Sequence, residues 1–392
     1  MMLDLGNQLR EIISSRRLTM LGAGPMSLTV TREAVALANK YRTPIALIPS
    51  RRQVDSAKLG GGYVEGWSTE TFAQYVRSID SGGFALLSRD HSGPWQGSAK
   101  QVDDVSLPVA MDEAKESLAN DIASGFNILH IDPSPALTRG FSYEEVTRMA
   151  VELIAFCVGK MESPDQVIFE VGTDEQDISP EPLSVTEHRI DMLFDELDRR
   201  GLPRPMFYVA QTGTKTLGTR NFGSFDQPFT VEGTLPATAY LPQILSLLGD
   251  KGLLLKEHNA DYLSDKALKW HRRFGIQSAN VAPEFGVRET LVFVRLLREH
   301  GLNKEYDEFR DLVVGGRNWS KWIPQGSEAS EEQKVAIAGH YHFSNSRVVD
   351  IREKLSHVAS RSHVDSEDLI STEVRASIDR YLVAFGYGVS RD

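Results

Sequence analysis

NILHIDPS (residues 127–134), followed by SYEEVTRMAVELIAFC (142–157), is the unit from which the fold can be read. The first half is a short apolar run closed by Asp132, Pro133 and Ser134. Apolar runs of this length between breaker residues read as buried parallel strands. In the second half Val146, Met149, Ala150, Leu153, Ile154 and Cys157 recur at helical spacing. Ser142 and Glu145 stand at capping-box spacing ahead of that stripe.

The strand half recurs along the chain. Further runs are LTMLGAG (18–24), PIALIPS (44–50), FALLSRDH (84–91), VIFEVGTDE (167–175), MFYVAQTG (206–213), GLLLKEHN (252–259) and QSANVAPE (277–284). Ser184 and Glu187 repeat the capping signal before Ile190, Leu193, Phe194 and Leu197, and 108–124, 235–248 and 286–299 also read as helices. Eight strand–helix units in about 300 residues predict an α/β fold, a (β/α)8 TIM barrel. The rival is a doubly wound open sheet. GAGPMS (22–27) looks like its phosphate loop but lacks the third glycine and the acidic residue that should close a following strand, so the barrel is preferred. The strand rhythm stops near residue 300. Residues 1–300 are assigned to the barrel and 301–392 to a helical extension packed on it, with helical segments EEQKVAIAGHYHFS and EVRASIDRYLVAF and a polar link, QGSEAS.

Of the 392 residues 41% are hydrophobic and 25% charged, with a formal net charge of -11 and no long run of one sign. That balance is globular, and an acidic mixed surface argues against nucleic acid or an anionic membrane as partner. The single cysteine, Cys157, excludes an internal disulfide and lies on an apolar helical stripe, where a buried structural thiol is expected. MMLDLGNQLREIISSRR has neither a long apolar core nor a small-residue cleavage site, and no run is long enough to span a membrane. A soluble cytoplasmic protein is expected.

In a barrel enzyme the active site gathers at the C-terminal strand ends. Those ends offer Ser50, Arg51, Arg52 and Gln53; Asp90 and His91; His130, Asp132 and Ser134; Glu170, Thr173, Asp174 and Glu175; Gln211, Thr212 and Lys215; Lys256, Glu257, His258 and Asn259; and Asn280 and Glu284. Imidazole and carboxylate together suit zinc, manganese or similar ions, which act as Lewis acids on a carbonyl. Each residue also has an ordinary reading. For His130 a core role, hydrogen-bonded to Asp132, is preferred, and for Asp90-His91 the polar strand end and the chemical role stand level. For His258 the crowding in KEHNADY favours function. Glu170 follows Ile168 and Phe169, and a buried carboxylate needs a metal or a basic residue beside it. GGGY (60–63) reads either as a flexible loop over the mouth or as a plain turn.

These stretches together resemble the tagatose-bisphosphate aldolase accessory-subunit (Z subunit) family of the class II aldolase superfamily. The resemblance rests on SRRQVDSAKLGGGYVEGWSTETF (50–72), LLSRDHSGPW (86–95), LHIDPS (129–134), EVGTDE (170–175), KEHNADY (256–262), APEFGVRETLVF (282–293) and HYHFSNSRV (340–348). It implies that Asp90 is the proton-transferring carboxylate, His91 and His258 are metal-binding histidines and Glu170 is the fifth-strand carboxylate. The chain departs from the catalytic members at two places. Gln211 stands where the sixth-strand metal histidine belongs, and Asn259-Ala260-Asp261-Tyr262 replaces the glycine-rich phosphate loop.

The expectation is a class II aldolase-like enzyme, dependent on a divalent metal (zinc, with manganese or cobalt as alternatives). It would cleave, condense or epimerise a sugar or sugar phosphate through an enolate or retro-aldol step. His91, Glu170 and His258 are the expected ligands, and Asp90 and Glu175 the acid/base pair. Ser50, Arg51, Gln53, Asp132, Gln211, Lys215 and Asn280 are the expected substrate contacts. The alternative is a non-catalytic subunit that stabilises a class II aldolase, and either reading allows a homo-oligomer or a complex with an aldolase chain.

Overall fold

The computed structural model describes residues 5–97, 105–163, 166–172, 181–222, 237–323 and 326–388. Its strands are β1 (Met20–Ala23), β2 (Ile45–Leu47), β3 (Ala85–Ser92), β4 (Ile128–Ile131), β5 (Ile168–Gly172), β6 (Phe207–Val209), β7 (Thr216–Leu217), β8 (Arg220–Asn221), β9 (Leu254–Glu257) and β10 (Ser278–Val281). Eight of them form one closed parallel barrel in the order β1-β2-β3-β4-β5-β6-β9-β10. β10 returns to β1 with Met20 opposite Ser278, so the sheet has no open edge and the doubly wound rival is excluded. Each of the eight apolar runs coincides with one barrel strand, β3 running one residue past its run. β7 and β8 form a small antiparallel hairpin after β6 that the apolar pattern did not indicate.

Helices α1 (Leu5–Arg16), α2 (Leu28–Tyr41), α3 (Thr69–Ile79), α4 (Leu107–Ala123), α5 (Tyr143–Val158), α6 (Leu183–Arg199), α7 (Ala237–Asp250), α8 (Asp265–Phe274) and α9 (Pro283–Glu299) follow in chain order. Leu9 and Ile13 of α1 pack with Met20, Ala46, Leu86, Ile128, Ile168 and Phe207, which closes the N-terminal end of the barrel with hydrocarbon. The capping box of α5 is present: the Ser142 amide donates to Glu145 Oε2 (2.7 Å) and the Glu145 amide to Ser142 Oγ (3.3 Å). The one expected at Ser184 and Glu187 is not. Pro182 (φ -55°) is the cap residue of α6, so the helix starts at Leu183 and Ser184 falls inside its first turn.

Side chains alternate along a strand, so residues two apart share a face. On the inner face β4, β5 and β9 are apolar low and polar high: Ile128 then His130, Ile168 then Glu170, Leu254 then Lys256 and His258. The outer face (Leu129, Ile131, Phe169, Val171, Leu255) packs on the helices in the main core. Cys157 lies fully buried there, and burial pushes its thiol far above the usual range, as suits a structural cysteine.

The chain ends in α10 (Asn303–Gly316), α11 (Glu331–Ala338), α12 (Ser346–Ser360) and α13 (Ser366–Phe385). The segment EEQKVAIAGHYHFS is not one helix: α11 stops at Ala338 and Gly339–His342 form a tighter 3-10 turn. Gly339 is wedged there, and a Cβ would come within 2.3 Å of Thr290. α13 packs on α2, α8 and α9, and beyond it the Tyr387 hydroxyl donates to Pro44 O (2.6 Å) and accepts from the Leu21 amide (3.1 Å). Among the described residues no helix is long and apolar enough to cross a membrane.

Candidate metal centre at the barrel mouth

A regular strand would send Asp90 and His91 to opposite faces. β3 does not stay regular: its register with β4 shifts between Arg89 and Ser92, and His91 takes φ 49°. This bulge re-aims one side chain, so both residues reach the mouth. Arg89, just before it, points outward into a buried pair with Asp121 (2.6 Å) and also donates to Pro49 O and Val54 O, which pins the strand.

Asp90, His130, Glu170 and His258 converge, with one potential ligand atom from each lying within 4.8 Å of the others. Glu170 Oε1 is 3.7 Å from His130 Nδ1 and 3.5 Å from His258 Nε2. Asp90 Oδ1 is 3.9 Å from His130 Nδ1 and 3.8 Å from His258 Nε2. Donors about 2.1 Å from a tetrahedral ion stand about 3.4 Å apart, so a small contraction would close these four on one ion. Glu170 Oε1 is buried with no hydrogen-bond partner among the described residues. Two imidazoles and two carboxylates are a donor set for a divalent transition metal, and the residues present fit such an ion.

The electrostatics keep the carboxylates ionised. Burial alone would raise Glu170, but Lys256, whose Nζ lies 2.6 Å from Oε2, and the two histidines outweigh it and bring the carboxyl down to about 2. Burial likewise opposes ionisation of Asp90, and the fields of His91, His258 and His130 overcome it, holding the carboxyl far below its usual range. His130 is fixed from outside the cluster by Gly172 O, 2.9 Å from Nε2, so Nδ1 is the atom that faces the carboxylates.

His91, expected among the ligands, turns Nδ1 to Asp132 Oδ2 at 2.7 Å and holds Nε2 3.8 Å from Asp90 Oδ2. It belongs to a second potential ligand group with His130 and Asp132. Burial would lower its imidazole, but Asp90 and Asp132 raise it to about 9. His130 is the buried, hydrogen-bonded core residue the sequence favoured, but its partners are Gly172 O at Nε2 and the His91 amide at Nδ1 (3.3 Å) rather than Asp132, and Nδ1 also faces Asp90 and Glu170.

The expected substrate contacts divide. Asn280 Nδ2 donates to Asp90 Oδ1 (3.2 Å), Ser50 bridges to Asp90 through the backbone, and Gln53 Oε1 accepts from the Ser50 amide (2.8 Å). Asp132 serves His91 and also accepts from Gln96 Nε2 (2.8 Å). Arg51 is committed elsewhere: it is 1% exposed, paired with Asp55 (3.0 Å) and donating to Gly93 O (3.2 Å), so it is not available to a substrate anion. Gln211 Oε1 accepts from the amides of Gly213 and Thr214, which makes it a turn-former. Lys215 precedes the β7–β8 hairpin, its amide donating to Asn221 Oδ1 (3.3 Å). Glu175, with Thr173 and Asp174, lies outside the described residues. Lys256, which the sequence places at a strand end, belongs to this site through its pair with Glu170. Its place two residues before His258 was the signal that it shares the inner face.

GGGY is a packed strap. The Tyr63 amide donates to Arg52 O (3.0 Å), and a Cβ on Gly62 would fall 1.9 Å from Gln53 O.

No protein-family model and no curated protein sequence matches the chain. Solved structures do. A probable tagatose 6-phosphate kinase from Sinorhizobium meliloti 1021 is similar with a TM-score of 0.74 at 16% identity, over 93% of this chain and 100% of that one. A fructose-bisphosphate aldolase from Campylobacter jejuni is similar with a TM-score of 0.51 at 13% identity, over 97% and 96%. At these identities the likeness is one of fold.

Proposed function

We propose that the chain is a divalent-metal-dependent sugar enzyme that makes, breaks or re-forms a carbon–carbon or carbon–hydrogen bond beside a ketose carbonyl, an aldolase-like or epimerase-like reaction. The observation that carries this is Glu170 Oε1, a buried carboxylate oxygen with no hydrogen bond among the described residues, set between two imidazole nitrogens. Leaving such an acceptor unpaired costs about 1–3 kcal/mol or more, which a ligand would recover. The named sugar enzymes of like fold, and the resemblance to the Z-subunit family of class II aldolases, support the substrate class.

His130, Glu170 and His258 would hold the ion, with Asp90 Oδ1 near the same two ring nitrogens as a fourth candidate donor. A zinc, manganese or cobalt ion there would polarise the carbonyl as a Lewis acid. Asp90 takes a proton from the substrate, steadied by the Asn280 amide. His91, held protonated by Asp90 and Asp132, would give up its Nε2 proton in the reverse step, 3.8 Å from Asp90 Oδ2, and Asp132 keeps the ring oriented from Nδ1. Lys256 holds Glu170 Oε2, which leaves Oε1 turned to the two imidazoles.

The test is conversion of ketoses, sugar acids and their phosphates by the metal-loaded chain. Turnover lost about 100-fold or more in Asp90→Asn, with metal content retained, is the expected result. Full activity in both Asp90→Asn and His258→Ala would overturn the reading.

A further inference from the structure

The glycine-rich phosphate loop is replaced by Asn259-Ala260-Asp261-Tyr262, and the C-terminal segment comes to meet this loop. The Tyr341 ring lies 4.8 Å from the Tyr63 ring and 4.3 Å from the His340 ring, centre to centre. Lys321 Nζ stands 5.2 Å from its centre, and Trp322 Nε1 fixes its hydroxyl at 3.1 Å. Ser344 Oγ donates to Tyr63 O (2.8 Å), tying the segment to the GGGY strap. Tyr262 is within electrostatic reach of Tyr341, and Tyr63 is hydrogen-bonded to Gln53, which in turn holds Ser50 beside Asp90.

Three polar atoms in this group are buried without a hydrogen-bond partner among the described residues: the Tyr262 hydroxyl and both ring nitrogens of His340, a residue only 2% exposed. The Cγ–Nδ1 side of the His340 ring packs against Gly286 of α9. Burial first, then Lys321 and His342, push the imidazole down to about 3, so it is neutral and offers one N–H. Burial first, then Asp261 and Glu284, keep the Tyr262 hydroxyl protonated as a donor. Orphaned buried donors beside a lysine call for an acceptor that carries charge.

We propose that Tyr63, Tyr262, His340 and Tyr341, with Lys321 at the rim, form a subsite at the barrel mouth that binds the terminal oxyanion, phosphate or carboxylate, of the substrate. This deepens the sugar-enzyme reading and rests on it for the substrate, while the subsite itself needs neither metal nor turnover. Arg51, locked onto Asp55, cannot serve that oxyanion; the C-terminal segment supplies His340, Tyr341 and Lys321, and the barrel loops Tyr63 and Tyr262.

Calorimetric titration of the full metal-free chain with inorganic phosphate, and separately with malonate, tests this. Wild type and Asp90→Asn should bind the preferred anion alike, and Lys321→Met and Tyr262→Phe about tenfold more weakly, the loss of one charge-assisted hydrogen bond. Lys321 is exposed and Tyr262→Phe removes one oxygen, so both variants should fold. Undiminished binding in both variants overturns the subsite, as does absence of binding of either anion to wild type. Failure of the catalytic reading would show instead as absent turnover with anion binding intact.

Discussion

Lys256 Nζ and Glu170 Oε2 lie 2.6 Å apart inside the barrel, with side chains 2% and 0% exposed. Removing the lysine leaves a buried carboxylate without its counter-charge, which costs about 3–5 kcal/mol in such pairs. Lys256→Met should therefore be strongly destabilised, and Lys256→Met with Glu170→Leu should recover most of the loss. Glu170 has a depressed folded-state pKa, so its contribution is present above its unfolded value and is lost as pH falls toward 2. That acid-side loss should shrink in Lys256→Met. Denaturant titrations of both single variants and the double variant measure the coupling, and strictly additive costs would refute it.

Which histidine holds an ion can be read from metal content alone. His130→Ala and His258→Ala should each lose the ion, because their ring nitrogens face Glu170 Oε1. His91→Ala should keep about one ion per chain, because its Nδ1 is spent on Asp132. Mass spectrometry of the metal in the three purified variants decides. Loss in His91→Ala with retention in His258→Ala would move the ion to the group of His91, His130 and Asp132.

The strand ends were legible because breaker residues close each apolar run, and Asp90, Glu170, His258 and Asn280 all stand at the mouth. What was hidden depends on contacts between strands. The register that sets His130 opposite Glu170 cannot be read along one strand, so the nearer Asp132 looked like its partner. The bulge after Arg89 is also a two-strand feature, and it alone turns His91 toward Asp132. Arg51 read as a substrate contact because its partner, Asp55, lies one helical turn away in what reads as a loop. Lys256 is legible in the sequence, since Leu254, Lys256 and His258 alternate on one face.

Asp261 ties the loop after His258 to the eighth barrel helix. Its Oδ1 accepts from the amides of Ala282 (3.0 Å) and Glu284 (2.8 Å) at the start of α9. Burial, the largest influence, together with the field of Glu284 raises its carboxyl to about 8 against the pull of those amides. A carboxyl raised above its unfolded value of about 3.9 binds its proton more tightly in the folded state. Its contribution is complete below that value and is lost as pH climbs through 8. Asp261→Asn keeps the acceptor oxygen and has no proton to lose. Between pH 6 and 9 the wild type should lose stability that the asparagine variant keeps, so their denaturation midpoints converge or cross as pH rises. Parallel curves across that window would show that Asp261 is already ionised at neutral pH and that the amides, not burial, set its charge.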